Sequence, residues 1–108
     1  MAQNFRRYTF NDVGTSAETL FTANSYDTIV GISVSNVAGS AVLADVYIND
    51  GTNDIYLVKE APIPTGSSLQ VLDGGAKFVV ESGDALKVKS DTASSLDVWV
   101  STVDDIST

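Results

Sequence analysis

Four carboxylate or carboxamide side chains fall within one run of six residues, Asn49-Asp50-Gly51-Thr52-Asn53-Asp54. Carboxylates and carboxamides this close together are what a hard cation such as calcium takes as ligands. An EF-hand loop follows D-x-[DN]-x-[DN]-G and closes with a glutamate at its twelfth position. Here the glycine stands third, and counting from Gly51 the twelfth place holds Pro62. The spacing fails the calcium pattern, which leaves Asp50 and Asp54 as weak metal candidates only. The competing reading is a hairpin. Asp-Gly supplies the positive φ of a tight β-turn, and segments of alternating polarity flank it.

Other segments invite chemistry less directly. Lys59-Glu60-Ala61-Pro62-Ile63-Pro64-Thr65-Gly66 carries both prolines of the chain. Prolines one residue apart hold the backbone extended and remove donors, but P-x-x-P ligands need a wider spacing. The segment reads as a strand that leaves one sheet and crosses to another, with Thr65-Gly66 as the turn. Arg6-Arg7 holds two of only six basic residues. It is either an arm that docks on an acidic neighbour or an edge strand whose charge blocks pairing. Tyr8, Tyr26, Tyr47, Tyr56 and Trp99 could stack on sugars, or cap the core with their polar ends near water. Tyr47 and Trp99 share strand faces with Asp45 and Asp97, and are candidate contact residues if those faces are exposed; capping of the core is the favoured reading. No serine or threonine has a basic partner in a nucleophile motif, and the carboxylates form no recognisable glycosidase pair.

Composition narrows the function further. The 108 residues include neither cysteine nor histidine. That removes disulfide scaffolds, thiolate metal sites, the commonest general base and the usual pH switch, and it argues against an enzyme. No cofactor is expected. Six basic against fourteen acidic residues give a net charge of −8, a field that repels nucleic acid. Met1 is followed by Ala2, Gln3 and Asn4, with no pattern of a secretory signal. No apolar run approaches the roughly 20 residues of a membrane helix. Synthesis in a bacterial cytoplasm and no membrane partner are the expectation.

The elements that must position these residues read as all-β. Val, Ile, Thr, Tyr and Phe recur, and Gly, Asn, Asp and Ser punctuate the chain every eight to twelve residues. Eight or nine short strands are expected, over residues 5–10, 17–23, 27–36, 40–49, 54–60, 68–72, 77–81, 86–90 and 96–103. Turns fall at Asn11-Asp12-Val13-Gly14, Asn24-Ser25, Asp73-Gly74-Gly75, Ser82-Gly83-Asp84 and residues 90–94. In the third strand the face of Val30, Ile32 and Val34 is expected to be core. Leu20 and Phe21 are adjacent, so one of them is expected at an edge. Val42, Ala44, Val46 and Ile48 share a face, as do Leu96, Val98 and Val100. Such a pattern predicts a single-domain antiparallel β-sandwich over residues 1–108, of jelly-roll or Ig-like type. Residues 1–4 and 104–108 are polar ends expected to fray or dock.

Three stretches, read in order, resemble a known family. They are FRRYTFNDVGTSAETLFTA, TIVGISVSNVAGSAVLADVYINDGTNDIYLVKEAPIPTGSSLQVL and GGAKFVVESGDALKVKSDTASSLDVWVST, nearly the whole chain. Together they are similar to small virion structural proteins of tailed phages, particularly marine and cyanobacterial ones. The resemblance implies a sandwich that packs against other virion proteins and performs no catalysis. The expected role is capsid decoration or cement on the outer shell, as a trimer, bound to the major capsid protein. The alternatives are a tail, neck or fibre component, bound to tail proteins, or a glycan- or calcium-binding attachment module. Phe5, Arg6, Arg7, Asn49, Asp50, Asn53, Asp54, Pro62 and Pro64 are the expected contact residues.

Overall fold

The computed structural model describes residues 4–23, 27–71 and 77–104. Tyr26, the turns at Asn24-Ser25 and Asp73-Gly74-Gly75, and residues 1–3 and 105–108 lie outside them. Among the described residues nine strands follow one another: β1 (Asn4–Val13), β2 (Glu18–Thr22), β3 (Asp27–Asn36), β4 (Val42–Asn49), β5 (Asp54–Ile63), β6 (Ser68–Gln70), β7 (Phe78–Val80), β8 (Ala85–Ser90) and β9 (Leu96–Asp104). Asn4 and Asp104 are paired across β1 and β9.

Every pairing is antiparallel. The first strand pairs with the last, β2 with β8, β3 with β7, and β4 with β5 across the Asn49–Asp54 turn. The chain is thus a long hairpin folded over on itself. It forms one sheet in the order β1-β9-β3-β6 and another in the order β2-β8-β4-β5. β6 and β7 share one edge of β3: β6 pairs with Ser33–Ser35, and β7 with Asp27–Ile29. This is jelly-roll order. An Ig-type sandwich would seat its first two strands in one sheet, whereas β1 and β2 lie in different sheets.

Alternation drives the two sheets together. Val13, Ile29, Ile32, Val34, Leu96, Val98 and Val100 from one sheet pack against Leu20, Phe21, Val42, Ala44, Val46, Leu86 and Val88 from the other, with Ile63 closing one end. Each such side chain contributes about 1.5–3 kcal/mol when fully buried. Tyr8 and Phe21 stack at 4.6 Å between centroids, linking β1 to β2.

Among the described residues, register shifts interrupt the ladders at five places, two of them between β4 and β5, and four of the five bear on the expectations. Ile29 pairs with Thr102 and Gly31 with Ser101, so Val30 has no opposite residue. The face switches there: Ile29 is fully buried and Val30 is 39% exposed, although Ile32 and Val34 remain core. A second bulge, between Thr19 and Phe21, lets adjacent Leu20 and Phe21 both enter the core. Both lie on β2, an edge strand of its sheet, and both are packed inward. A third bulge carries β1 past Phe10 to Val13, where a turn was expected. Asp12 there adopts φ 58, and its N–H donates to Asp97 Oδ1 at 3.2 Å. The fourth repeats the device. Glu60 has φ 52, its N–H donates to Asp45 Oδ1 at 2.7 Å, and β5 continues to Ile63. In both, a carboxylate on the neighbouring strand accepts the N–H of a left-handed residue.

The crossover forms as its prolines require. Pro62 lies on β5, an edge strand, opposite Leu43. Pro64-Thr65-Gly66-Ser67 then turns the chain into the other sheet, with Gly66 at φ +76 and the Ser67 N–H donating to the Pro64 carbonyl at 3.1 Å. Asn36 secures this passage. Its buried carboxamide donates to the Ile63 carbonyl at 2.9 Å and the Ser40 carbonyl at 2.8 Å, and accepts the Ala38 N–H at 2.8 Å.

Candidate interaction surface

The opening run of oxygen ligands is a hairpin loop. Asp50 Oδ1 accepts the Asn53 N–H at 2.7 Å and the Thr52 N–H at 3.0 Å, while Asn49 Oδ1 accepts the Gly51 N–H at 2.9 Å. Asn49 Nδ2 donates to Asp54 Oδ1 at 2.7 Å, and Gly51 takes φ +96. The oxygens are thus directed at the loop's own donors. Among the described residues no group of three or more His, Cys, Asp or Glu is placed to hold a metal ion.

Those backbone donors hold the Asp50 carboxyl below the usual aspartate range. A carboxyl depressed by folding stabilises above its unfolded pKa, and that contribution is lost as pH falls through the folded value. Asp50→Ala should therefore speed amide exchange at Thr52 and Asn53 at neutral pH. In the parent chain the same amides should lose protection only on acidification below the ordinary aspartate range. Equal exchange in both chains at neutral pH would refute this account of the loop.

Phe5, Arg6 and Arg7 lie at the same end of the sandwich as this hairpin. Phe5 is opposite Val103 and Thr28 is opposite Val103, beside the β2–β3 connection; Asn49 is opposite Ala85 and Thr22 opposite Ala85, beside the same connection. Pro62 and Pro64 sit at the other end, roughly 25 Å away along β4. The expected contact residues therefore divide into two groups.

Registry assembles a further feature around Phe5. On the outer face of the β1-β9-β3 sheet, Phe5 is opposite Val103, Val103 opposite Thr28, and Thr28 opposite Val79. Their chain neighbours Thr102, Asp27, Ile29 and Val80 are buried, so this row faces outward. Phe5 is 79% exposed and Val79 70%. Val30 extends the patch, and beyond it the Arg7 guanidinium lies 5.5 Å from the Trp99 ring centroid. Val79, Val30 and Val103 were not anticipated as contact residues. Residues 77–81 read as a strand with no face assigned, and only the pairing of four strands puts these residues side by side.

The two candidate aromatics divide: the face of Trp99 is exposed and that of Tyr47 is covered. Trp99 is 52% exposed. Tyr47 is buried, but outside the core: it lies on the outer face of the other sheet under Tyr56, at 4.8 Å between centroids. Burial pushes its phenol up, and the Asp54 carboxylate adds to this. Tyr56 in turn has the Lys59 ammonium 4.4 Å from its centroid.

No protein-family model matches the chain, nor does any curated protein. Solved structures do resemble it. A chain of the acid-stable capsid of Helicobacter pylori bacteriophage KHP30 has TM-score 0.62 at 12% identity, covering 95% of this chain and 87% of that one. A chain of Bacillus endospore appendages, a family of disulfide-linked pili, has TM-score 0.56 at 15% identity, covering 94% of this chain and 84% of that one. At such identities the likeness is one of fold.

Proposed function

We propose that the chain is a structural protein of a phage virion, most specifically a decoration or cement protein on the outer capsid surface. The observation that carries this reading is the apolar row Phe5-Val103-Thr28-Val79, flanked by Arg6 and Arg7 in a chain of net charge −8. A solvent-facing apolar row beside two cations is the composition of a contact surface for a partner that offers apolar groups and carboxylates. The fold likeness to a phage capsid chain supports the same reading, and jelly rolls serve as viral capsid domains. In this role the chain performs no catalysis and uses no cofactor. Its partners are the major capsid protein and other copies of itself, as a trimer.

The mechanism is mass action. A protein that binds the assembled shell and not its separated parts stabilises the shell by the free energy of binding. Contacts through Phe5, Val79, Arg6 and Arg7, with the Asn49–Asp54 hairpin at the same end, would add to those that resist internal pressure. The likeness to an appendage subunit favours a second reading, a tail, neck or fibre component that packs copy against copy. Disulfide linkage would have no part in it, since the chain has no cysteine.

The test is cosedimentation of the purified chain with undecorated capsids. Wild type should bind in many copies across the shell. Phe5→Ala combined with Val79→Ser should weaken binding at least about tenfold without lowering the melting temperature, because both side chains are exposed. Binding confined to the tail vertex would favour the second reading, and no binding to either would overturn both.

A further inference from the structure

We propose that the polar half of the same sheet face is a binding site for a neutral carbohydrate chain, with Trp99 as its stacking platform. The site is distinct from the apolar row. Trp99 is four residues from Val103 along β9, roughly 13 Å, and the groove runs onward from Trp99 away from that row. A chain held to a shell by its Phe5 end would still present the groove.

Trp99 faces outward because Val98 and Val100 on either side of it are core. Two concavities meet at its ring. One, of about 390 Å³, is lined by Phe5, Arg6, Arg7 and Val30, and from that side Arg7 braces the indole. The other, of about 430 Å³, is lined by Thr9, Phe10, Asn11, Ser33, Ser35 and Asp97. Its volume is within the range of small-ligand sites. Registry sets Thr9 and Ser33 on either side of Trp99, and Ser35 opposite Asp97. Short side chains beside a large ring leave a groove open where longer ones would fill it.

The lining selects the ligand class. Three hydroxyls and a carboxamide donate and accept, and a carboxylate accepts. A sugar ring offers the complement: a C–H face for the indole and a rim of hydroxyls for the polar groups. The polar groups are also held in place. Asp97 Oδ1 accepts the Asp12 N–H, and Ser33 Oγ accepts from Gln70 Nε2 at 3.0 Å, so the Ser33 proton remains to be donated. No lysine or arginine lines this groove, and Asp97 repels anions, which disfavours phosphate and acidic polymers. A wholly apolar partner would bury Asp97, Asn11 and the hydroxyls without hydrogen-bond partners. An open groove with one aromatic platform should bind weakly, near millimolar, and a repeated array of copies would raise the avidity.

Trp99 is the only tryptophan, so its emission reports on the site directly. The experiment titrates the full chain with cellohexaose, maltohexaose and the hexamer of N-acetylglucosamine. At least one should shift Trp99 emission saturably at about millimolar concentration. Amide chemical shifts at Ser33 and Ser35 should follow the same curve. Trp99→Ala should weaken binding at least about tenfold by those shifts, Trp99→Phe should retain part of it, and Ser35→Leu should abolish it by filling the groove. Val79→Ser, at a residue that lies in the apolar row and lines neither concavity, should leave sugar binding unchanged, which separates this test from the capsid test. No saturable response to any of the three sugars overturns the proposal. So does equal binding by Trp99→Ala, or burial of Trp99 against a second copy as protein concentration rises.

Discussion

Replacing Asn36 by alanine is expected to lower stability by about 3 kcal/mol. The Asn36 side chain is buried, and its three hydrogen bonds reach three places: Ala38, Ser40 and Ile63. Alanine leaves the buried Ile63 carbonyl without this donor, a loss of about 1–3 kcal/mol. The Ser40 carbonyl and the Ala38 N–H are only partly buried and recover some of their loss from water, so each adds about 1 kcal/mol or less. For a domain of this size the sum corresponds to a fall in melting temperature of about 15 °C. Urea unfolding should show a lower midpoint with an unchanged slope, the sign of lost stability without altered cooperativity. Asn36→Asp should be at least as damaging at neutral pH. It keeps the acceptor for Ala38 but turns lone pairs toward two carbonyls. A loss below about 1 kcal/mol for Asn36→Ala would mean that the backbone bonds from Asn36 N–H to Ser67 and from Gly66 N–H to Asn36 hold the crossover alone.

The crossover also shows which parts of the fold were legible in the sequence. Pro62 and Pro64 remove donors, so they belong at a sheet edge or strand end: Pro62 sits on the edge strand β5, and Pro64 just past its end. Asn49-Asp50-Gly51 supplied the turn chemistry of a hairpin, and the loop forms from those side chains. Leu96, Val98 and Val100 alternate without interruption and are all core. These are local signals, each contained within a few residues of the chain. The bulges are not local. Val30 and Leu20 sit in ordinary strand sequence, with no glycine at a positive φ to mark the extra residue. Their position is set by what the facing strand offers, which a single sequence does not display.

The candidate surfaces divide the same way. Arg6-Arg7 was visible because cations are scarce in an acidic chain, and Trp99 because it shares a strand face with Asp97. Their neighbours were not visible. Val103, Thr28 and Val79 reach Phe5 only through the pairing of β1 with β9, β9 with β3 and β3 with β7. Thr9, Ser33 and Ser35 reach Trp99 through the same registry. In a folded-over hairpin the first strand meets the last, so both surfaces combine residues some 90 positions apart, such as Thr9 and Trp99. Periodicity identifies faces, and topology then decides which faces join.

The bulge in β3 yields the sharpest contrast between neighbouring residues. Ile29→Ala should cost about 3–4 kcal/mol, whereas Val30→Ala should change stability by no more than about 0.5 kcal/mol. Unbroken alternation from Val34 through Ile32 would place Val30 in the core and Ile29 in solvent, and the two effects would exchange. The structure instead buries Ile29 against the facing sheet and leaves Val30 unopposed between Thr102 and Ser101. Truncating Ile29 opens a cavity in a closed core, where the surroundings collapse only in part. Truncating Val30 removes methyl groups from an outer face that already meets water. Chemical denaturation of the two variants decides between the registers without a further structure. The bulge also separates stability from contact on one strand. Val30 lines the concavity beside Phe5 and Arg7, so Val30→Ala should weaken capsid binding while leaving the unfolding midpoint in place. Ile29→Ala should lower the midpoint while leaving the outer face, and whatever it binds below the transition, intact. A strand with unbroken alternation could not bury Ile29 and still keep Ile32 and Val34, three and five residues further on, on the same core face.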